Sequence, residues 1–264
     1  MGFDMDPGLA ALLFAIGFLG SLISGMVGIG GSIVKYPMLL YIPPALGFAA
    51  FTAQQVSAIS AIQVLFATLS GALVFRKGGY IHKPLVAVMG TAIVAGGFAG
   101  GYGSRWLPDS AINATYALLA LIAAVMMFFP KRADEDGYAS SGQKFNHPLA
   151  FALSLAIGIV SGIVGAAGAF ITVPVMLVIL RIPTRVAIAS SLLITFVSSI
   201  GSTAGKLLGG HMPLWPSVVM IVASLIAAPI GARISKKIGV KMLQWMLIAL
   251  ISATVVKIWT DLLF

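Results

Sequence analysis

SGMVGIGGSIVKYP, residues 24–37, recurs as SGIVGAAGAFITVP, residues 161–174. Ser24, Gly25, Val27, Gly28, Gly31 and Pro37 thereby gain counterparts in Ser161, Gly162, Val164, Gly165, Gly168 and Pro174, every pair at the same separation. Further along, Gly103-Ser104-Arg105 is answered by Gly231-Ala232-Arg233. Small residues recur in membrane helices for close packing alone. A constant offset held over so many positions points instead to an internal duplication. The fold then turns on what surrounds the two copies.

Apolar stretches surround them. In the first half they cover 8–31, 33–48, 52–75, 84–104 and 110–129, and in the second 148–167, 170–180, 186–208, 215–233 and 241–260. One polar run, Lys131 to Asn146, separates the halves. The domain reading is a first repeat over 1–130, a polar linker over 131–147 and a second repeat over 148–264.

Hydrophobic residues make up 59% of the 264 and charged residues only 9%. Mean hydropathy is +1.06. A soluble domain carries about 25% charged residues, so this chain cannot cover a water-facing surface, and the bilayer must be its main solvent. The net charge of +9 is spread singly and in small groups between apolar runs, without the aromatic interleaving of a nucleic-acid binder, so no nucleic-acid partner is expected. The chain has no cysteine, which excludes disulfides and thiolate metal sites. Asp4 and Asp6 stand where a signal peptide has its basic region, and the start reads as a retained first span.

Five segments per half is an odd number, so duplication predicts halves of opposite orientation. The basic residues agree. With five plus five segments, one side carries Lys35, Arg76, Lys77, Lys83, Lys131, Arg132, Lys144, Arg181, Arg185, Arg233, Lys236, Lys237 and Lys241, and the other only Arg105, Lys206 and Lys257. If each Gly-rich stretch were a kink in one helix, giving four plus four, the bias would vanish. By the positive-inside rule the linker is cytoplasmic and both termini periplasmic, in a bacterial inner membrane. A re-entrant hairpin in place of the first two segments keeps the same parity and stays open. The predicted class is an all-α integral membrane protein of two inverted repeats with paired broken helices.

Inverted repeats with paired Gly/Pro interruptions are the mark of secondary transporters, which bind substrate near the midplane where the breaks meet. Gly28, Gly30, Gly31 and Ser32, like Gly165 and Gly168, can expose backbone N–H groups, and Pro37 and Pro174 suit the first turn of the following helix. A helix start aimed into a low-dielectric cavity attracts an anion. The plainer role for these glycines is to let two helices cross closely; the paired occurrence favours the binding reading.

All seven acidic residues, Asp4, Asp6, Asp109, Asp134, Glu135, Asp136 and Asp261, fall at termini or between apolar segments. Cation carriers commonly keep a carboxylate inside a span, so the substrate expected is an anion. The third segment of each half is the most polar, and Gln54, Gln55 and Ser57 in one, with Ser190, Ser191 and Thr195 in the other, can donate to oxyanion oxygens without burying a charge. Hydrogen bonding between helices, at about 0.6 kcal/mol per contact, is the alternative role for any one of them. Lys35 can snorkel to the interface or attract the anion, and snorkelling is the preferred reading. Arg105 and Arg233 read as interface anchors. His82, His147 and His211 share no helical spacing, so no metal site and no cofactor is expected. Nucleotide-binding and hydrolase motifs are absent, and no enzyme is predicted.

Two copies of a Gly-rich SGxxGxGG…P segment, in a chain of this length split by a short polar linker, resemble the TauE/SafE sulfite-exporter family. The resemblance runs from about Leu19 to Arg233. It implies a permease for sulfite, a sulfonate or a small organic carboxylate, with Gly25, Gly28, Gly30, Gly31 and Pro37 matching the first motif and Gly162, Gly165, Gly168 and Pro174 the second. Ser32 replaces a glycine frequent in the family, and the second copy reads Ala166-Ala167-Gly168-Ala169, poorer in glycine. The lack of cysteine separates the chain from the thiosulfate importers. The function predicted is alternating-access transport of a small anion, with membrane lipid as its surroundings and the oligomeric state open. The competing reading is a non-transporting membrane subunit or scaffold.

Overall fold

The computed structural model describes residues 6–27, 32–75, 81–128, 145–166, 168–210 and 212–239, with single helical positions at Met242, Trp245, Ala249, Ser252, Val256 and Thr260. Every regular element among the described residues is helical: α1 (Pro7–Val27), α2 (Ser32–Ala45), α3 (Ala53–Phe75), α4 (Lys83–Gly103) with a 3-10 turn at Ser104–Trp106, α5 (Asp109–Phe128), α6 (His147–Val164), α7 (Ala169–Val178), α8 (Thr184–Gly209) and α9 (Leu214–Lys237). A bilayer cannot solvate backbone groups, so an open chain crosses it as helix. Local chemistry sets the ends. The His82 ring accepts from the Leu85 N–H at 3.1 Å and the Asn146 side chain from the Leu149 N–H at 3.1 Å, each ahead of a proline in the first turn. Gly210, at φ +78°, closes α8 in the left-handed conformation that favours glycine.

Seven of these helices, α1, α3, α4, α5, α6, α8 and α9, are long and apolar enough to span a membrane. The other two are not. At 1.5 Å per residue, the 10 residues of α7 rise about 15 Å, half the roughly 30 Å of a hydrocarbon core. The 14 residues of α2 rise about 21 Å.

Close backbone contacts fix the directions of the long helices. A Cβ on Gly17 would meet Ala223 and Met220, and one on Gly25 the Ala228 carbonyl and Ala232. Residue number therefore rises together along α1 and α9, which run parallel. On α4, Gly96 packs on Leu155 and Gly158, and Gly100 on Ile159, so α4 and α6 are parallel. Gly201 meets Val94, and Gly205 meets Phe98 and Tyr102, which sets α8 parallel to α4. In contrast, the Lys206 ammonium donates to the Ser57 hydroxyl while Gly71 lies against Leu192, so α3 and α8 are antiparallel. The short turn between Gly209 and Leu214 makes α8 and α9 an antiparallel hairpin as well.

Thus α1, α3 and α9 point one way and α4, α6 and α8 the other. Because α1 and α3 share a direction, α2 and the stretch after it must return the chain across the bundle. α7 and residues 179–183 do the same between α6 and α8. The four-plus-four alternative, with α1 and α2 as one kinked helix, is excluded by this geometry. The contacts are also reciprocal between halves: the first long helix of each packs along the fourth element of the other, and α3 packs on α8.

Two expectations need correction. Pro37 and Pro174 do not open their helices. α2 begins at Ser32 and α7 at Ala169, which leaves both prolines inside, each lacking the N–H that would bond back one turn. Gly25 and Gly162 serve helix crossing: a Cβ would meet the Ala228 carbonyl at 2.2 Å in the first case and the Gly97 carbonyl at 2.5 Å in the second.

The tightest crossing gives a test. A Cβ on Gly100 would stand 1.9 Å from the Ile159 carbonyl oxygen, whereas one on Gly103 meets nothing within 4 Å. Gly100→Ala is expected to destabilise the folded protein by about 1–3 kcal/mol, the usual effect of overpacking. Gly103→Ala on the same helix should leave the detergent melting temperature unchanged. Equal melting curves for the two variants would refute the crossing.

Candidate functional site

Lys35 lies one turn inside α2 and is fully buried. Its ammonium donates to Gln63 Oε1 and to Ser21 Oγ at 3.4 Å. The Gln63 amide nitrogen donates in turn to Ser21 Oγ at 2.7 Å and to Ser224 Oγ. Ser21 Oγ donates to Ser224 Oγ at 3.0 Å, and Ser224 Oγ to the Met220 carbonyl at 2.6 Å. The Gln63 amide from α3 and the Ser21 hydroxyl from α1 therefore hold the cation, and Ser224 of α9 ties those two in place. Gln63 and Ser224 stand halfway along their helices, so the charge is at mid-depth. Gly20 makes room for the lysine stem, since a Cβ there would lie 2.2 Å from Lys35 Cγ. The snorkelling expected of Lys35 is overturned: its neighbours bind it inward, away from either membrane face.

Lys206, 4% exposed near the end of α8, is a second buried cation. It donates to Ser57 Oγ and Ser104 Oγ at 2.6 Å each and to the Ile163 carbonyl at 2.7 Å. Those acceptors join the start of α3, the end of α4 and the last turn of α6. Both serine hydroxyls pass their own protons back to the carbonyls of Gln54 and Gly101. Among the described helices Asp109, first residue of α5, is the one acidic residue. Neither lysine has a carboxylate among its bonded neighbours named above.

The second break is described from both sides. α6 ends at Gly165, whose φ of +73° only glycine adopts freely and whose Cβ position is occupied by the Ser57 carbonyl at 1.8 Å. Gly168, at φ +71°, begins α7 without a side-chain cap. It packs on Ile157, Ser161 and Ile93, and Ile93 is halfway along α4. α7 thus starts at mid-depth, as Lys35 and the first turn of α2 do. Thr172, at the position matching Lys35, returns its hydroxyl to the Gly168 carbonyl at 2.6 Å.

The remaining residues singled out in the sequence are dispersed. Gly28, Gly30 and Gly31 lie outside the described residues. Ser32 is buried with no hydrogen-bond partner for its hydroxyl. Gln54 ties the start of α3 to the α4–α5 turn, its amide donating to the Leu107 carbonyl at 2.9 Å and its backbone N–H to Asp109 at 3.1 Å. Gln55 caps the same helix by accepting from the Thr52 N–H at 3.0 Å. Ser190 accepts from the His82 N–H at 3.0 Å, and Ser191 donates to the Ile188 carbonyl at 2.9 Å. Because α3 and α8 are antiparallel, Gln54-Gln55 and Ser190-Ser191 are separated by most of α8, roughly 25–30 Å at 1.5 Å per residue. They cannot share one ligand. Thr195, midway along α8, is buried with no partner for its hydroxyl.

Sequence reading left Gln63, Ser21, Ser104, Ser224 and Lys206 out of the site. Lys206, a cation inside a long apolar run, carried a signal that could have placed it there. The serines carried none, because their role depends on which helices cross.

The fold and this arrangement are those of a polytopic membrane protein with two interrupted helices, the class to which secondary carriers belong. The model of the sulfite exporter TauE/SafE family matches residues 13–258, and the chain belongs to that family. It is 20% identical to the probable membrane transporter protein YunE of Bacillus subtilis, covering 87% of this chain and 90% of that one. A probable membrane transporter protein of Haemophilus influenzae is 25% identical, over 93% and 92% of the two chains. The probable membrane transporter protein MamO of Magnetospirillum gryphiswaldense is 26% identical over 96% of this chain, which spans 44% of that longer protein. No solved structure matches the chain significantly.

The Lys35 cluster predicts a double-mutant cycle. Gln63→Leu removes the amide that accepts from a buried ammonium and should lower stability by about 2 kcal/mol, the scale of a hydrogen bond to a charged group. Lys35→Met with Gln63→Leu removes both partners and should recover most of that loss. Unfolding measured in detergent checks it, and strictly additive effects would contradict the coupling.

Proposed function

We propose that the protein is a secondary permease for a small oxyanion such as sulfite, a sulfonate or a small carboxylate, bound at mid-depth where α2 and α7 begin. The observation that carries this reading is Lys35, a cation halfway through the bundle held by the Gln63 amide and the Ser21 hydroxyl, on helices whose sequences carry no carboxylate. An anion held in a low-dielectric site gains from a cation beside it. A half-helix start adds the field of its dipole. Ser32, one turn before Lys35, offers a hydroxyl with no protein partner.

The two halves, 1–130 and 148–264, act in this reading as inverted repeats joined by a cytoplasmic linker. The opposed directions of α1 and α6, α3 and α8, and α4 and α9 support it. Rocking one group of helices against the other would open the mid-depth site to each membrane face in turn. The bacterial inner membrane is the expected location, with the basic residues that follow α3 and α9 on the cytoplasmic side and the termini in the periplasm.

Proteoliposome uptake of labelled sulfite, methanesulfonate and acetate tests the function. Saturable flux of at least one anion is expected. Lys35→Met should reduce it about tenfold or more, the effect of roughly 1.4 kcal/mol lost at the site. Gly168→Leu, which forces a branched side chain into a left-handed conformation against Ile157 and Ile93, should abolish flux while the protein still inserts. Wild-type vesicles that pass none of these anions would refute the proposal, and a stable membrane partner without flux would favour the scaffold reading.

A further inference from the structure

The α3–α8 seam carries a second set of groups nearer the end of the bundle where α3 begins. Its register is fixed at two points. Ser57 meets Lys206 at 2.6 Å, and Gly71 lies against Leu192. Each step forward on α3 is therefore a step back on α8, and Ser60 falls opposite Thr203. Both residues are buried, and neither hydroxyl has a hydrogen-bond partner. Buried hydroxyls are nearly always bonded, so two unmatched ones at the same level of one seam need a reason. Ser60 is one turn beyond Ser57, and Thr203 is one turn before Lys206, positions that share a helix face. One turn from the unmatched pair is an ammonium held by neutral acceptors alone.

We propose that Lys206, Ser60 and Thr203 form a second oxyanion station, closed in this conformation, between the mid-depth site and the membrane face at which α3 starts. The ligand class is a small sulfur oxyanion with three free oxygens, either sulfite or the head of a sulfonate. One oxygen takes an ion-paired bond from Lys206 in place of the bond the ammonium makes to the uncharged Ser57 hydroxyl, a favourable exchange. The others accept from Ser60 and Thr203, whose protons have no other acceptor. A pyramidal head with three oxygens offers one to each of the three donors, whereas a planar carboxylate offers only two oxygens. The station rests on the reading of the chain as an anion permease, and it adds a stage on the path and a preference among anions.

The test uses the full chain in detergent and in proteoliposomes, with sulfite and methanesulfonate as probes and acetate for comparison. Ser60→Ala and Thr203→Val are each expected to weaken binding of the sulfur oxyanions about tenfold. Neither deletes a bond within the protein, so the ligand-free melting temperature should hold or rise, whereas a structural hydroxyl would lower it. Lys206→Met should abolish binding at the station and Lys206→Arg retain part of it. Wild-type protein that binds sulfite and loses binding in Lys35→Met, with Ser60→Ala and Thr203→Val unchanged, would overturn the station and leave the permease standing. Wild-type protein that binds none of the probes would overturn both.

Discussion

Backbone meets backbone where α4 crosses α6, with Gly96, Gly100, Gly158 and Gly162 alternating across the contact. In lipid no hydrophobic force draws two apolar helices together, so association depends on close packing and on hydrogen bonds between helices. Gly25 and Gly231 form the matching contact between α1 and α9. Both crossings join one half of the chain to the other. The first helix of each half packs mainly against the other half, so the two halves interlock. That interlocking fixes the directions of the long helices, and those directions leave α2 and α7 to run as short return segments inside.

The return segments explain the chemistry. A helix that begins halfway through a membrane has unsatisfied N–H groups at its start, and these must face protein, water or ligand. The side chains one turn inside these starts differ between the two halves. In α7, Thr172 bonds back to the Gly168 carbonyl, a neutral and self-contained arrangement. In α2 the matching position is Lys35, which reaches out to α1 and α3 and is linked through Gln63 to α9. At matching positions of the two motifs the chain carries a cation in one and a neutral hydroxyl in the other.

Much of this was readable in the residues. Apolar runs gave the membrane and the helices, and the basic residues gave a return crossing between α1 and α3. What could not be read was how each polar side chain is used. Gln54 and Gln63 look alike in sequence, both glutamines in the same polar helix. One ties α3 to the turn at Leu107 and the other holds a buried lysine. The difference lies in which helix passes beside each, and no local pattern encodes that. Pro37 and Pro174 misled for a related reason: proline favours a first turn, but tertiary packing in a half-helix tolerates it further in.

The two buried lysines sit at positions that do not correspond between the halves, one on α2 and the other on α8. If they were structural devices of the ancestral repeat, each would have a partner at its matching position, yet Thr172 matches Lys35. Their positions follow depth instead. Lys35 is level with the middle of α3 and Lys206 is within about a turn of its start, so α3 passes both cations in succession, presenting Gln63 to one and Ser57 to the other. α3 and α8 are also the pair that equivalent halves must share. A ligand moving along α3 would meet first one cation and then the other, each with hydroxyls beside it, a sequence of environments that suits an anion.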